Sequence, residues 1–207
     1  MSQITNGIRK ILGHPLVYRF VQSLAGMDKA RYTREYLRPM PGMKILDVGC
    51  GTADLLAHFP KPIEYYGVDL NADYIHYAER KFGEKGTFVC GDANDAVLDS
   101  KHEFDLIIAN GLLHHLEDQD AMKLLEKMAS RLRPAGRVVT FDPCYTDNPT
   151  RLVSLIMKWD RGQNIRSAEN YRKLAVHAFN RIKVHVRDNL SRIPHCTVAI
   201  LEYSGQE

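Results

Sequence analysis

The chain has no apolar run approaching the roughly 18 residues that a membrane-spanning helix needs, and it shows no internal repeat or low-complexity tract. Surplus charge is small. Lys and Arg number 28 against 25 Asp and Glu, a formal net charge of +3, too weak a field to mark a nucleic-acid surface. Cysteine is scarce and scattered: Cys50, Cys90, Cys144 and Cys196 include no close pair of the kind that zinc ribbons or redox motifs use. With no secretory signal ahead of them they read as thiols in a reducing compartment, and the cytoplasm is the expected location. At 207 residues, 44% of them hydrophobic and 26% charged, the chain is long and apolar enough for one well-buried core, which excludes disorder and coiled coil.

The first 27 residues carry Arg9, Lys10 and Arg19 but no acid, and apolar residues recur at Ile4, Ile8, Leu12, Leu16, Phe20 and Leu24. This helical stripe suits either a packing or lid helix or a targeting, membrane-touching segment. Gly13 and Pro15 divide it into two short helices. After Pro39, Pro41 and Gly42 the pattern changes to short apolar runs separated by helical stripes. Strands are expected at Met43–Val48, Glu64–Val68, Thr87–Cys90, Phe104–Ala109 and Arg137–Asp142. The first should feed a helix. A second helix, capped by Asn71 and stopped by Gly83, should bury Ile75, Ala78 and Phe82. A third should show Met122, Leu125, Met128 and Leu132 on one side, with Asp118 and Asp120 in its first turn and Lys127, Arg131 and Arg133 near its end. From Cys144 to Asn180 the pattern is helical, with Leu152, Leu155, Ile156 and Trp159 on one face and a second helix over Ala168–Phe179. Alternation at Ile182, Val184 and Val186, then at Val198, Ile200 and Glu202, closes the chain as a hairpin. Strands alternating with helices imply a parallel, doubly wound sheet. The expected organisation is one α/β domain: N-terminal lid helices over 1–40, a core over 41–143, a helical cap over 144–180 and closing strands over 181–207.

The most informative stretch is Asp47-Val-Gly-Cys-Gly-Thr-Ala-Asp54. Glycines at a strand end let the backbone turn tightly and approach a ligand closely. A dinucleotide fold would want a third glycine at position 54, where Asp54 would place a negative charge against a pyrophosphate. Asp69, 22 positions after Asp47, sits where a carboxylate can accept hydrogen bonds from both ribose hydroxyls.

Asp47-Val-Gly-Cys-Gly-Thr, Asp69, Gly91-Asp92-Ala93, Phe104-Asp-Leu-Ile-Ile-Ala-Asn110 and Leu132-Arg-Pro-Ala-Gly-Arg137, in this order and spacing, closely resemble the class I S-adenosylmethionine-dependent methyltransferases, of the kind that acts on small molecules. The resemblance covers residues 43 to 142. It implies a Rossmann-like, seven-stranded sheet whose last strand is antiparallel, with S-adenosylmethionine lying over the strand ends. It further implies that Gly49, Cys50 and Gly51 flank the cofactor's methionine part, that Asp47 holds its amino end, and that Asp69, with Leu70 beside it, holds the ribose. Asp92 and Ala93 would face the adenine, and Asn110 the methionine moiety. Carboxylates in such a cleft suit a ligand that carries a sulfonium and an ammonium. Where the family usually has a third glycine this chain has Ala53, which fits a helix start if its φ is negative.

The residues after strand four bear on the acceptor. Asn110-Gly-Leu-Leu113 is not the Asn- or Asp-Pro-Pro-aromatic turn of enzymes acting on exocyclic base amines. Cys144 offers a faint echo of a cytosine C5 nucleophile but reads better as a packing thiol. His114 and His115 stand at the mouth of the expected site, and histidine is the natural base for a hydroxyl near neutral pH. Asp142, on the same rim, could orient a histidine or bind a hydroxyl. No metal is expected: Asp142, Asp147 and Asn148 lie near strand five, but strand four ends in Asn110 and not in an acid. Tyr18, Tyr32, Tyr145, Trp159 and Tyr171 are candidates for pocket wall or core. Arg34 and Arg38 read as a solvated helix face. The expectation is methyl transfer to a small-molecule hydroxyl; a non-catalytic cofactor-binding partner domain and a nicotinamide-dependent oxidoreductase are the alternatives. Neither a nucleic-acid partner nor a membrane span is expected.

Overall fold

A computed structural model describes residues 27–92, 103–146, 164–190 and 197–204. Asp28 caps a first helix, α1 (Lys29–Tyr32), by accepting a bond from the Arg31 N–H, and the chain continues as a wider turn over Thr33–Leu37 before Arg38 breaks it at a left-handed φ of 40°. Strands β1 (Lys44–Val48), β2 (Glu64–Asp69), β3 (Thr87–Cys90) and β4 (Phe104–Asn110) then alternate with helices α2 (Ala72–Phe82) and α3 (Asp118–Ala129). β5 (Leu132–Tyr145), the two-residue β6 (Arg166–Ser167), α4 (Ala168–Ala175), β7 (Arg181–Arg187) and β8 (Val198–Ser204) complete the chain.

The sheet runs β3-β2-β1-β4-β5-β8-β7, with β6 paired only to the end of β5. β1, β2, β3, β4 and β5 are mutually parallel, and β8 lies antiparallel between β5 and β7. This is the expected doubly wound sheet with an antiparallel last strand. Period-two alternation divides the core into two layers. Leu46, Val48, Ile107, Val138, Leu201 and Tyr203 face α3 and α4, whereas Ile45, Leu106, Ile108, Val139 and Ile200 face α1 and α2. Asn71 caps α2 as expected, accepting bonds from the Asp73 and Tyr74 N–H groups, and Ile75, Ala78 and Phe82 are buried.

Three expectations need correction. The helix after the glycine loop is only a five-residue 3-10 turn, Asp54–His58. Ala53 stands at φ 53°, and Phe59 is extended ahead of Pro60, so a regular helix has no room to propagate. The condition for Ala53, a negative φ, is therefore not met. Leu132 belongs not to α3 but to β5, where it pairs with Phe104; the chain then loops out over residues 133–136, with Ala135 at φ 63°, before the ladder resumes at Arg137. The segment from Cys144 is not continuous helix. β5 runs on to Tyr145, and α4 stops at Ala175, leaving Phe179 to stack on Tyr203 at 4.9 Å. The N-terminal stripe up to residue 26, the face Leu152 to Trp159, Asp147 and Asn148 lie outside the described residues.

Ala53 predicts an unusual response to glycine. A buried alanine changed to glycine ordinarily loses about 0.8 kcal/mol of methyl burial plus backbone entropy. At Ala53 the left-handed strain of about 1–2 kcal/mol is relieved at the same time. Ala53→Gly should leave urea stability within about 1 kcal/mol of wild type, whereas Ala78→Gly in α2 should cost about 2 kcal/mol. Equal losses at the two sites would mean that Ala53 carries no strain.

Candidate active site

The parallel strands end together, and the register aligns the ends: Val48 of β1 lies opposite Val68 and Ala109, and Asn110 of β4 opposite Phe141. Residues just beyond these positions, Gly49, Asp69, Asn110 and Asp142, therefore share one edge of the sheet, the place where ligands bind in open α/β folds. Gly49 and Gly51 have φ of 74° and 55°, which side-chain-bearing residues rarely adopt. Their loop is pinned to β2: the Gly49 and Cys50 N–H groups donate to Val68 O, and the Gly51 N–H donates to Asp69 Oδ2 at 2.9 Å. Asp69 Oδ1 accepts from the Asn71 N–H at 2.8 Å.

Asp47 is buried beneath this loop and accepts a bond from the Tyr65 hydroxyl at 2.8 Å. Burial pushes its carboxyl up to about 7; the Tyr65 hydroxyl opposes the rise and the charge of Asp69 adds to it. Burial also raises Asp69, against the Asn71 and Gly51 N–H groups. Among the described residues neither acid has a cationic partner. Their neighbours differ: Asp54 is bridged to Lys29 and Lys81, Asp105 to Arg133, Asp142 to His114, and Glu202 to Arg38 and His185. Asp54 thus does not present a bare charge to the cleft, and the case against a pyrophosphate ligand passes from Asp54 to Asp47.

Cys50 turns its sulfur inward, where a Cβ on Gly67 would meet it at 2.9 Å; burial, then Asp47 and Asp69, raise its thiol. Leu70 is 51% exposed beside Asp69. Asp92 is half-buried at the end of β3, which Gly91 ties to β2 by donating to Asp69 O. Ala93 lies outside the described residues. Asn110 Oδ1 accepts from the Tyr32 hydroxyl at 2.7 Å, while its buried Nδ2 has no acceptor within the described protein. That amide is a donor awaiting an oxygen.

His114 and His115 occupy a 3-10 turn, Leu113–His115, with ring centroids 4.0 Å apart. Both the His114 backbone N–H, at 3.1 Å, and its ring Nδ1, at 2.8 Å, are bonded to Asp142 Oδ1. A carboxylate only accepts, so Nδ1 carries the proton and Nε2 is the basic nitrogen. Burial raises Asp142, and the bond to His114 opposes the rise. Its Oδ2 is buried and has no hydrogen-bond partner among the described residues.

Of the remaining candidates, Cys144 is packed in the core as expected, and Arg34 and Arg38 are both exposed, Arg38 also pairing with Glu202. Tyr32 and Tyr171 are fully buried and Tyr145 is half-exposed, while Tyr18 and Trp159 lie outside the described residues. No set of three His, Cys, Asp or Glu side chains suited to a metal ion occurs among the described residues. Sequence reasoning overlooked Tyr65 and Arg166 and gave Tyr32 no polar role. Their bonds span 18, 48–53 and 78 positions, and no local pattern announces such pairings.

Residues 45–136 match a family model described as a methyltransferase domain. The chain is 36% identical over 124 residues to a fatty-acid O-methyltransferase of Mycolicibacterium smegmatis, which covers 58% of this chain and 42% of that protein. It is 28% identical over 162 residues to phosphoethanolamine N-methyltransferase 1 of Zea mays, covering 75% and 32%. The chain thus spans less than half the length of these curated relatives. Among solved structures, a TehB-like S-adenosylmethionine-dependent methyltransferase from Corynebacterium glutamicum superposes with a TM-score of 0.66 at 18% identity, over 95% of this chain and 100% of that one, a likeness of fold. Over residues 45–136 the chain is thus similar to methyltransferase domains, and its fold is shared with an S-adenosylmethionine-dependent methyltransferase.

The raised carboxyl of Asp47 predicts a pH dependence. Folding favours its neutral form, so its contribution to stability is complete below the ordinary carboxylate range and is lost as pH rises through about 7. The ligand-free protein should lose more stability between pH 4 and pH 8 than its Asp47→Asn variant does, by at most about 4 kcal/mol. Urea denaturation at the two pH values measures this. Parallel losses in the two proteins would show that Asp47 is ionised in the fold without penalty.

Proposed function

We propose that this domain transfers a methyl group to a small-molecule acceptor, at a hydroxyl oxygen, with a histidine of the 114–115 pair as base. The observation that carries the reading is the buried carboxylate Asp47 beside the half-buried Asp69, neither with a cation among the described residues. An isolated buried charge is costly, and a cationic ligand removes the cost. The residues fit the cofactor on this ground. Asp47 would face its amino end, Gly49, Cys50 and Gly51 would offer backbone, and Asp69 with Leu70 would meet the ribose. Asp92 and Ala93 would meet the adenine. Asn110 Nδ2, buried without an acceptor, would donate to an oxygen of the bound molecule.

When bound, the cofactor supplies an electrophilic methyl group on a sulfonium. The chain's own part is to orient and to move one proton. Asp142 fixes the His114 ring through Nδ1–H, which leaves Nε2 to take the proton of an acceptor hydroxyl as the oxygen becomes nucleophilic. His115, half-buried with its ring tilted 39° against that of His114, would contribute the rim on the acceptor side. The name of the M. smegmatis relative supports transfer to oxygen. No described helix is long and apolar enough to cross a membrane. Cys50, Cys90 and Cys144 form no disulfide with one another, which supports a cytoplasmic setting.

Turnover is tested by following S-adenosylhomocysteine release with a panel of phenols, sugars, fatty acids and phosphoethanolamine. A phenol or sugar hydroxyl should be the acceptor, and His114→Ala should lower kcat by about 10²–10⁴-fold while the affinity for S-adenosylmethionine stays within threefold. A fatty acid, already ionised, needs no base. Methylation of a fatty acid with both histidines dispensable would overturn the hydroxyl reading. Absence of turnover with every acceptor would favour a cofactor-binding partner domain. Removing the Tyr32 hydroxyl, which holds the Asn110 amide, should weaken cofactor binding about tenfold in Tyr32→Phe, the equivalent of one lost hydrogen bond; unchanged binding would show that the amide makes no contact with the cofactor.

A further inference from the structure

Arg166 lies in β6, is 8% exposed, and has an acceptor for each of its five guanidinium N–H bonds. Nε and Nη2 donate to Asp118 Oδ1 at 2.9 and 2.7 Å, and Nη2 donates also to Leu116 O at 2.7 Å. Nη1 donates to Leu113 O and to Asn164 O, each at 2.9 Å. The guanidinium sits 5.6 Å over the Tyr171 ring, whose hydroxyl is anchored on Pro143 O at 3.0 Å. Two residues earlier in the chain, the Asn164 N–H donates to His114 O at 3.0 Å.

Three carbonyls of the histidine turn, those of Leu113, His114 and Leu116, are therefore gripped from one short segment. Asp142 grips the same turn from the other side, through the His114 N–H and Nδ1. Leu113 and Leu116 also anchor the turn in the core. The turn itself is three residues of 3-10 helix, and Glu117, which opens α3, makes no side-chain cap. The planar fork directs five N–H bonds to three carbonyls and a carboxylate, where an ammonium has only three donors.

We propose that Arg166 is a positioning residue, which locks the Leu113–Leu116 turn so that the His114 ring stays in register with Asp142. The proposal rests on reading that turn as the acceptor-side catalytic element. Arg166 touches neither acceptor nor cofactor; it acts through His114. Nothing in the local sequence marks it, because it reaches the turn from about 50 positions away, across the end of β5.

The test is NMR on the ¹⁵N-labelled full chain, as wild type, Arg166→Lys and Asp118→Asn. In Arg166→Lys the His114, His115 and Leu116 amides should exchange with solvent at least tenfold faster, and the His114 ring should change from a single Nδ1–H tautomer to a mixture. Amides of Leu106 to Ala109 in β4 should change less than twofold. Asp118→Asn, which keeps the oxygen but removes the charge, should show the same effects in smaller measure and serves if Arg166→Lys fails to fold. An unchanged turn and tautomer would overturn the proposal. So would a uniform acceleration that includes β4, since Arg166 would then only support global stability. If the turn loosens as expected while His114→Ala and His115→Ala both retain full transfer activity, the clamp stands and the catalytic reading of the histidines falls.

Discussion

A buried carboxylate, Asp47, and a half-buried one beside it, Asp69, neither with a counter-cation among the described residues, set the terms for the rest of this structure. Taking a charge out of water costs several kcal/mol unless a partner returns the energy. The fold meets that cost at Glu202 with Arg38 and at Asp54 with Lys29 and Lys81. At Asp47 and Asp69 it supplies only a tyrosine hydroxyl and backbone N–H groups, and burial raises both carboxyls. Burial favours the neutral form of Asp47, which limits that cost near pH 7.

The sheet makes the arrangement rigid. β1, β2, β4 and β5 are paired in parallel, without interruption from Leu106 and Arg137 to the carboxyl ends of β4 and β5, so those ends form one shared edge. Functional groups on that edge are then aimed by elements distant in the chain. Tyr32 from α1 orients the Asn110 amide, Tyr65 from β2 holds Asp47, and Asp142 from β5 holds His114. The N-terminal helix and the segment after β5 therefore act on the site although neither belongs to the glycine loop.

Much of this was legible in the residues themselves. Apolar runs located the strands, Asn71 and Gly83 bounded α2, and the glycine loop with Asp69 pointed to the sheet edge on which the candidate site is built. Legibility failed where a conformation depends on more than a local pattern. Ala53 looks like an ordinary helix start, yet the turn from β1 forces it to φ 53° and Pro60 cuts the helix to a single short 3-10 segment. Leu132 fits the stripe of α3, yet pairing with Phe104 draws it into β5. Asp54 reads as a bare charge until Lys29 and Lys81 close on it from α1 and α2. Arg166 was invisible because its five bonds carry no periodicity.

The most direct test is calorimetric titration of the purified chain with S-adenosylmethionine and, separately, with NADH, at pH 5.5 and pH 7.5. Saturable binding of S-adenosylmethionine alone is expected, tighter at pH 7.5 because the ligand's positive charge must otherwise displace the Asp47 proton. The pH effect should vanish in Asp47→Asn. Binding of NADH alone, or binding of S-adenosylmethionine with the same affinity at both pH values and in both proteins, would contradict the account.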